Sequence, residues 1–450
     1  MHYDLTIIGG GPGGYTGAIR AAKLGLKTAL IEQRDLGGTC LNRGCIPTKT
    51  LLHSAEIFSA RKEWESMGVI AADVKIDENK IYERKDKIVN QLRNGVETLV
   101  KAAGVDLYRA KGYIKDKNTV LAGDTALTTN YILIATGSKP QEFDPNRPLP
   151  GIDEVLNSDD VLNAPINDDN IVIIGGGVIA VEFASYFVSI GRSVTLIVTG
   201  ERILRALSTD ISNQLGMILK RNGLKIITSA KIKRLYKDKA VIEVGGGEQT
   251  VEGAVIAAAG RVSVLDCGLE NAGVTYGKYI EVDENMRTNV NNIYACGDAA
   301  GGPQLAHYAA AGAVTAVEII AGKPKSMDMS VCPSCIYTQP EVALVGKTTA
   351  GETDKTGKFL MGASGKAIVG GLNRGYVKII TDANDVVVGG ELFCLRASDM
   401  IGEVALCIQK KFTAHEAAAV IHPHPTVMEA VGEALEDVHG MATHIPAKAK

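Results

Sequence analysis

Asp4-Leu-Thr-Ile-Ile-Gly9 runs directly into Gly10-Gly11-Pro12-Gly13-Gly14. The apolar run reads as a buried strand, Gly9, Gly11 and Gly14 form a GxGxxG turn, and Pro12 to Gly25 has helical patterning. Lys27 to Ile31 is the next strand and ends at Glu32. Glycines here let the backbone close on a pyrophosphate at a helix N-terminus, and an acid about 20 residues on can hydrogen-bond a ribose hydroxyl. A lone GxGxxG says little. Strand, turn, helix, second strand and terminal acid in this order predict a dinucleotide-binding fold.

The pattern recurs. Ile171-Val-Ile-Ile-Gly175 leads into Gly177 and Ala180, Val181 to Gly191 reads as helix, and Ser193 to Val198 as strand. A constant offset of 166 maps Gly9 onto Gly175, Gly11 onto Gly177 and Gly25 onto Gly191, so the chain carries two such folds. Ala180 replaces the third glycine, which the fingerprint tolerates because a methyl still permits close packing. The same offset sets Val198 where Glu32 stands in the first copy, so the second site lacks the acid that engages an NAD ribose. The choice between NAD and NADP stays open. Arg202 and Arg205 follow closely and hint at a 2′-phosphate, although loop arginines are more often simply solvated.

At 450 residues the chain exceeds one hydrophobic core, so two to four domains are expected. Hydrophobic residues at 46 % and charged residues at 22 % exclude disorder, and 50 glycines suit tight turns around phosphates. Net charge is -3 with no block of like charge, which indicates neither nucleic acid nor a membrane surface as partner. No apolar run of about 18 residues occurs, and a strand begins almost at once, leaving no room for a signal peptide. The expected location is the cytoplasm. Eight cysteines are too few for a disulfide scaffold, so any disulfide is more readily catalytic than structural.

Between the first fold's second strand and the following helix lies Gly37-Gly-Thr-Cys-Leu-Asn-Arg-Gly-Cys-Ile-Pro-Thr-Lys49. Cysteines five apart beside a dinucleotide fold can close a small ring whose two sulfurs differ in exposure, one open to an external dithiol. Taken bare, a CxxxxC reads rather as two reduced core cysteines. With its flanking residues the segment resembles the class I pyridine nucleotide–disulfide oxidoreductases, in particular their dihydrolipoamide dehydrogenase branch, and the resemblance extends over essentially the whole chain. It implies FAD in the first fold, NAD in the second with NADP possible, a redox disulfide between Cys40 and Cys45, Cys40 as the interchange thiol, and Cys45 as the charge-transfer thiol beside the flavin.

Further motifs fit the resemblance. Thr136-Gly137-Ser138 follows the strand Tyr131 to Ala135, where the family's chain leaves the first half of its FAD domain. Asn292-Ile-Tyr-Ala-Cys-Gly-Asp298 resembles the second FAD signature, with Asp298 at the ribityl chain, and Gly302-Pro-Gln-Leu-Ala-His307 follows the pattern beside the flavin. Lys49 and Glu182 stand where the family has an ion pair near flavin N5. Without that analogy Lys49 is a solvated helix residue and Glu182 an acid in a helix's first turn. Two departures lie near the nucleotide path. Gly260-Arg-Val-Ser-Val264 lacks the usual Pro-Asn, and Tyr308 replaces a common Lys.

His422-Pro-His-Pro-Thr-Val-Met-Glu429 joins two histidines, two prolines and an acid. A carboxylate fixes a histidine's tautomer and raises its basicity, which suits proton removal from a thiol near neutral pH. A His–Glu pair alone is more often surface decoration. The resemblance makes His424 the acid–base, Glu429 its orienter and the molecule a homodimer in which His424 reaches the other subunit's disulfide; His422 takes a supporting role. Cys332-Pro-Ser-Cys335 is read as plain core or loop cysteines, since no second CxxC completes a metal site.

The expected architecture is α/β: a Rossmann-like FAD domain over residues 1–145 and 261–331, a Rossmann-like NAD(P) domain over 146–260, and an α+β dimerisation domain over 332–450. No lipoyl-bearing segment is expected ahead of residue 1, so the expected substrate is dihydrolipoamide carried on a separate lipoyl protein, of a 2-oxo acid dehydrogenase or glycine cleavage complex. Two alternatives remain: an NADPH-dependent disulfide reductase of the glutathione reductase kind, and a flavin-bearing subunit of an electron-transfer assembly.

Overall fold

A computed structural model describes residues 1–141 and 155–446. The expected boundary at 145/146 lies outside the described residues. The chain folds as two units, Met1–Val172 with Lys233–Ile242 and Thr250–Met329, and Ile173–Ile232 with Glu243–Gln249 and Ser330–Lys450.

In the first unit β1 (His2–Ile8), α1 (Pro12–Lys23) and β2 (Thr28–Ile31) realise the opening motif. β1 begins two residues before the expected Asp4, because His2 and Tyr3 already pair with Thr128 and Thr129. Next come α2 (Gly38–Arg43), α3 (Cys45–Trp64), α4 (Glu78–Ala102), β3 (Asp106–Tyr108), β4 (Gly112–Asp116), β5 (Thr119–Ala122) and β6 (Thr125–Ile134). The sheet order is β3-β2-β1-β6-β5-β4, with the short strand Ile293–Ala295 also on β6. β1 is parallel to both neighbours, Ile7 lying opposite Leu30 and Leu133. Parallel strands are covered on both faces, which is why β1 is buried without a break from Leu5 to Ile8 and β2 along its whole length. One covering helix is α1, whose buried face is Gly13, Gly14, Gly17, Ala18 and Ala21. A Cβ at Gly17 would lie 3.2 Å from Ala313 Cβ, so small residues let α1 lie close against the helix Ala306–Ile320.

The second unit holds the second glycine turn. Its helix, Val178–Ser189, is α1 displaced by the offset of 166 at both ends, and Ser193–Ile197 pairs in parallel with Lys225–Ile227. Downstream lies an antiparallel five-stranded sheet in the order Ser334–Ile336, Glu341–Gly346, Val387–Cys394, Tyr376–Thr381, Lys355–Leu360. Val345, Val377, Ile379 and Leu392 turn inward from it onto Met400, Val404, Val431 and Leu435 of the helices Ala397–Lys410 and Glu429–Asp437. No helix among the described residues is long and apolar enough to cross a membrane.

Candidate active site

The first glycine turn is shaped by steric necessity. Gly9 has φ +102°, and a Cβ there would sit 2.3 Å from Ala135 O; a Cβ on Gly14 would sit 1.7 Å from Gly9 O. The nearest heavy atom to a Cβ built on Gly11 would be Gly38 Cα at 3.8 Å, so this face of the turn is open. Gly11 caps α1 and offers no side-chain bond to its first turn, as Gly177 does for its counterpart. A helix start with orphan N–H groups, open in front and backed by a positive dipole end, fits a pyrophosphate. Glu32, buried at the end of β2, accepts from Gly10 N–H and from Arg34 N–H, each at 2.6 Å. The carboxylate is therefore fixed against the turn with lone pairs to spare for ribose hydroxyls.

Cys40 and Cys45 form a disulfide with a Cα–Cα distance of 4.6 Å. The sequence suggests that the helix starts after this segment, but the segment is itself helical: Cys40 lies in α2, and Cys45 is the first residue of the 20-residue α3. Pro47 fits because a first helical turn needs no N–H there. The consequence is electrostatic, since a thiolate at Cys45 meets the positive end of a long helix dipole. Asn42 steadies α2 by donating from Nδ2 to Leu36 O at 3.0 Å and Gly38 O at 2.9 Å. Lys49 lies one turn into α3, half-buried.

A network that the sequence does not announce joins three of the quoted motifs. Ser138 Oγ donates to Asp298 Oδ2, while Arg261 Nε donates to Ser138 Oγ at 2.8 Å and Arg261 Nη2 to Ser138 O at 2.7 Å. Thr136 Oγ1 donates to Val264 O at 2.7 Å, and Gly137 O accepts from Val264 N–H at 2.9 Å. Gly260, at φ +122°, leads into this crossing, which brings Thr136, Gly137, Gly260 and Asp298 together. Apart from the resemblance to the family's motifs, their sequence signal is adjacency to glycine and strand ends. His307 stands in the first turn of the helix Ala306–Ile320, and Tyr308 packs by Gly302, where a Cβ would meet its ring at 3.0 Å.

In the second unit, a Cβ on Gly176 would touch Val198 Cγ1 at 2.6 Å, as one on Gly10 would touch Glu32 Cβ at 3.0 Å. The offset thus holds in space, and Val198 fills Glu32's place. Gly175, Gly177 and the fully buried Ala180 keep the turn. The two arginines differ: Arg202 spends its guanidinium on Arg205 O and Leu207 O, at 3.1 and 3.3 Å, whereas Arg205 is exposed. Glu182, only 3 % exposed, accepts from Tyr337 N–H at 3.0 Å.

His424 Nδ1 lies 2.8 Å from Glu429 Oε1, and Thr426 N–H donates to Glu429 Oε2 at 2.8 Å. Desolvation raises the Glu429 carboxyl, but the bonds from His424 and Thr426 outweigh it and hold the group below the ordinary glutamate range. With Nδ1–H donated to the carboxylate, Nε2 is the basic nitrogen. The His424 side chain is 79 % exposed. His422 Nε2 pairs with Glu403 Oε1 at 3.0 Å and is nearly buried. Cys332 and Cys335 form no disulfide, and no metal-holding cluster occurs among the described residues.

Comparison with known proteins agrees with this geometry. The family model for pyridine nucleotide-disulphide oxidoreductases matches residues 3–313, and that for the family's dimerisation domain matches residues 332–435. The chain belongs to this family; it is a disulfide oxidoreductase with FAD and a nicotinamide nucleotide as cofactors. Its curated relatives include dihydrolipoyl dehydrogenases from Bacillus subtilis, 38 % identical over 98 % of this chain and 99 % of the relative, and Geobacillus stearothermophilus, 35 % identical over 99 % and 98 %. Among solved structures, LpdA from Mycobacterium tuberculosis shares the fold at TM-score 0.88 and 23 % identity, covering 96 % of this chain and 98 % of that one. The HOCl-induced flavoprotein disulfide reductase RclA from Escherichia coli aligns at TM-score 0.84 and 28 % identity, covering 96 % and 99 %.

Proposed function

We infer that the enzyme oxidises dihydrolipoamide, carried on a separate lipoyl protein of a 2-oxo acid dehydrogenase or glycine cleavage complex, and reduces NAD. The observation that carries this is the full-length likeness to dihydrolipoyl dehydrogenases. The proposed division is an FAD domain over 1–145 and 261–331, an NAD(P) domain over 146–260 and a dimerisation domain over 332–450, acting as a homodimer in the cytoplasm. A reducing compartment suits a chain whose other described cysteines form no disulfide.

His424, contributed across the dimer, takes a proton from the dithiol through Nε2, with Glu429 holding the imidazolium that results. The substrate thiolate attacks Cys40 Sγ, the Cys40–Cys45 bond breaks, and Cys45 leaves as a thiolate at the start of α3. The second substrate thiol then attacks the mixed disulfide, closing the lipoamide ring as the bond to Cys40 breaks, and its proton passes to Cys40, which leaves as a thiol. Both electrons now reside on the cysteine pair. FAD supplies the two-electron carrier between that pair and the nicotinamide. Gly9, Gly11, Gly14 and Glu32 would hold it by pyrophosphate and ribose, with Thr136, Gly137, Asp298, His307 and Lys49 toward its other end. Steady-state oxidation of free dihydrolipoamide with NAD tests the assignment: fast turnover is expected, and its absence alongside rapid NADPH-driven disulfide reduction would favour the second reading.

That reading, an NADPH-dependent disulfide reductase, draws on Val198 and Arg205. Without a carboxylate at Val198, NAD loses a charged hydrogen bond worth about 1.5–3 kcal/mol, or roughly ten- to a hundred-fold in affinity. NADP escapes repulsion there and gains the exposed Arg205. Weak discrimination should result. Val198→Glu, for which the Gly10–Glu32 contact supplies a template, should raise preference for NAD over NADP at least tenfold, by about one charged hydrogen bond. Strong rejection of NADP by the unmodified enzyme, or an unmoved ratio, would take Val198 away from the ribose.

A further inference from the structure

Arg43 stands between the two cysteines as the last residue of α2, its side chain 19 % exposed. Its guanidinium pairs with Asp35 Oδ2 at 3.6 Å and with Asp159 Oδ2 at 3.5 Å. Arg93 of α4 holds the other Asp35 oxygen at 2.6 Å, so that carboxylate is shared between two cations. Arg261 Nη2 reaches Thr39 Oγ1, next to Cys40, at 3.4 Å. Arg34, Glu32 and Asp298 complete the charged surroundings of the two arginines.

Asp159 is held in turn. It belongs to the short helix Ser158–Asn163, whose far end is fastened to α4 where Tyr82 OH donates to Val161 O at 2.7 Å and Lys85 Nζ to Leu162 O at 2.8 Å, both in buried settings. The bridge Asp35–Arg43–Asp159 therefore spans two anchored points and keeps Arg43 beside the redox loop. Burial pushes the Arg43 guanidinium down, followed by the neighbouring Arg34, yet a guanidinium stays protonated.

The closed disulfide is neutral, whereas the opened pair carries a thiolate at Cys45, two residues after Arg43. A fixed cation beside the loop therefore acts on one redox state and not on the other. We propose that Arg43 is a positioning residue that tunes the Cys40–Cys45 couple, its guanidinium favouring the opened, thiolate-bearing pair and so making the disulfide easier to reduce. This rests on the reading of the pair as redox-active. Asp159, an anion in the same cluster, acts in the opposite sense.

The test is the thiol–disulfide equilibrium of the holoenzyme in buffers of reduced and oxidised dithiothreitol. In that exchange the reagent's two sulfurs close a disulfide and deliver two electrons as Cys40–Cys45 opens; one of the two protons stays on Cys40, and the other passes to solvent. Acid quenching, alkylation and mass analysis read the fraction of opened pair. Arg43→Met should shift the equilibrium toward the disulfide by about three- to ten-fold, the scale of one partly screened charge. Arg43→Lys should stay within about twofold of the unmodified enzyme, since the charge remains although the fork is lost. Asp159→Asn should shift it toward the opened pair. If Arg43→Met and Asp159→Asn move the equilibrium in the same direction, the bridge is a mechanical brace only and the proposal falls; it falls equally if Arg43→Met leaves the equilibrium unmoved. Loss of dihydrolipoamide turnover in the unmodified enzyme would instead remove the substrate assignment and leave this measurement standing.

Discussion

Replacement of His424 by Gln should leave FAD binding intact and slow dithiol oxidation by about 10²–10⁴-fold, the usual scale for loss of a general base. The expectation rests on geometry. Nδ1 is committed to Glu429, which its bonds to His424 and Thr426 keep below the ordinary carboxyl range, so the ring is oriented and Nε2 faces outward as the acceptor. Glutamine keeps a polar group of similar reach but has no nitrogen that binds a proton near neutral pH. The side chain is 79 % exposed, so its exchange should cost little stability, and an unchanged visible spectrum would show that the flavin site is intact. Pre-steady-state reduction of the enzyme by dihydrolipoamide, before any nicotinamide is added, isolates the step. An unchanged rate would remove His424 from the chemistry. Glu429→Gln should give a smaller loss, because it disturbs tautomer and orientation and leaves the base in place.

The second large effect belongs to Cys45→Ser. With no partner sulfur Cys40 cannot form the internal disulfide, so turnover should fall to background. The long-wavelength charge-transfer band of the two-electron-reduced enzyme should vanish as well, since it requires a thiolate against the flavin. Cys40→Ser should also abolish turnover but retain the Cys45 thiolate, stabilised as the first residue of α3 by the helix dipole. Visible spectra of the two variants across neutral pH separate the roles. A band that survives in Cys45→Ser and disappears in Cys40→Ser would invert the assignment of the two sulfurs.

The glycine turns were legible from sequence because their requirement is steric and local. A Cβ at Gly14 would collide with Gly9 O whatever the rest of the chain did. The repeat was equally legible, since the same local geometry recurs at a fixed offset, and it correctly led to Val198 as the counterpart of Glu32. The start of α3 was not. Gly44 and Pro47 read as loop residues, and only the fold shows that Gly44 caps a helix beginning on Cys45. Arg202 and Arg205 look interchangeable as loop cations in the sequence, whereas in the fold backbone carbonyls of the same loop occupy Arg202. The links from Ser138 to Asp298 and from Arg43 to Asp159 join residues more than a hundred positions apart, and no periodicity in a single chain announces such pairs.

The central claim is that electrons pass from a dithiol to a nicotinamide through Cys40 and Cys45. The most direct measurement mixes holoenzyme anaerobically with one equivalent of dihydrolipoamide and traps the cysteines by acid quench and alkylation, before and after NAD is added. Both cysteines should become alkylatable on the first mixing. Both should be protected again after NAD, with one NADH formed for each disulfide restored. NADH formation while Cys40 and Cys45 stay closed and unlabelled throughout would contradict the account.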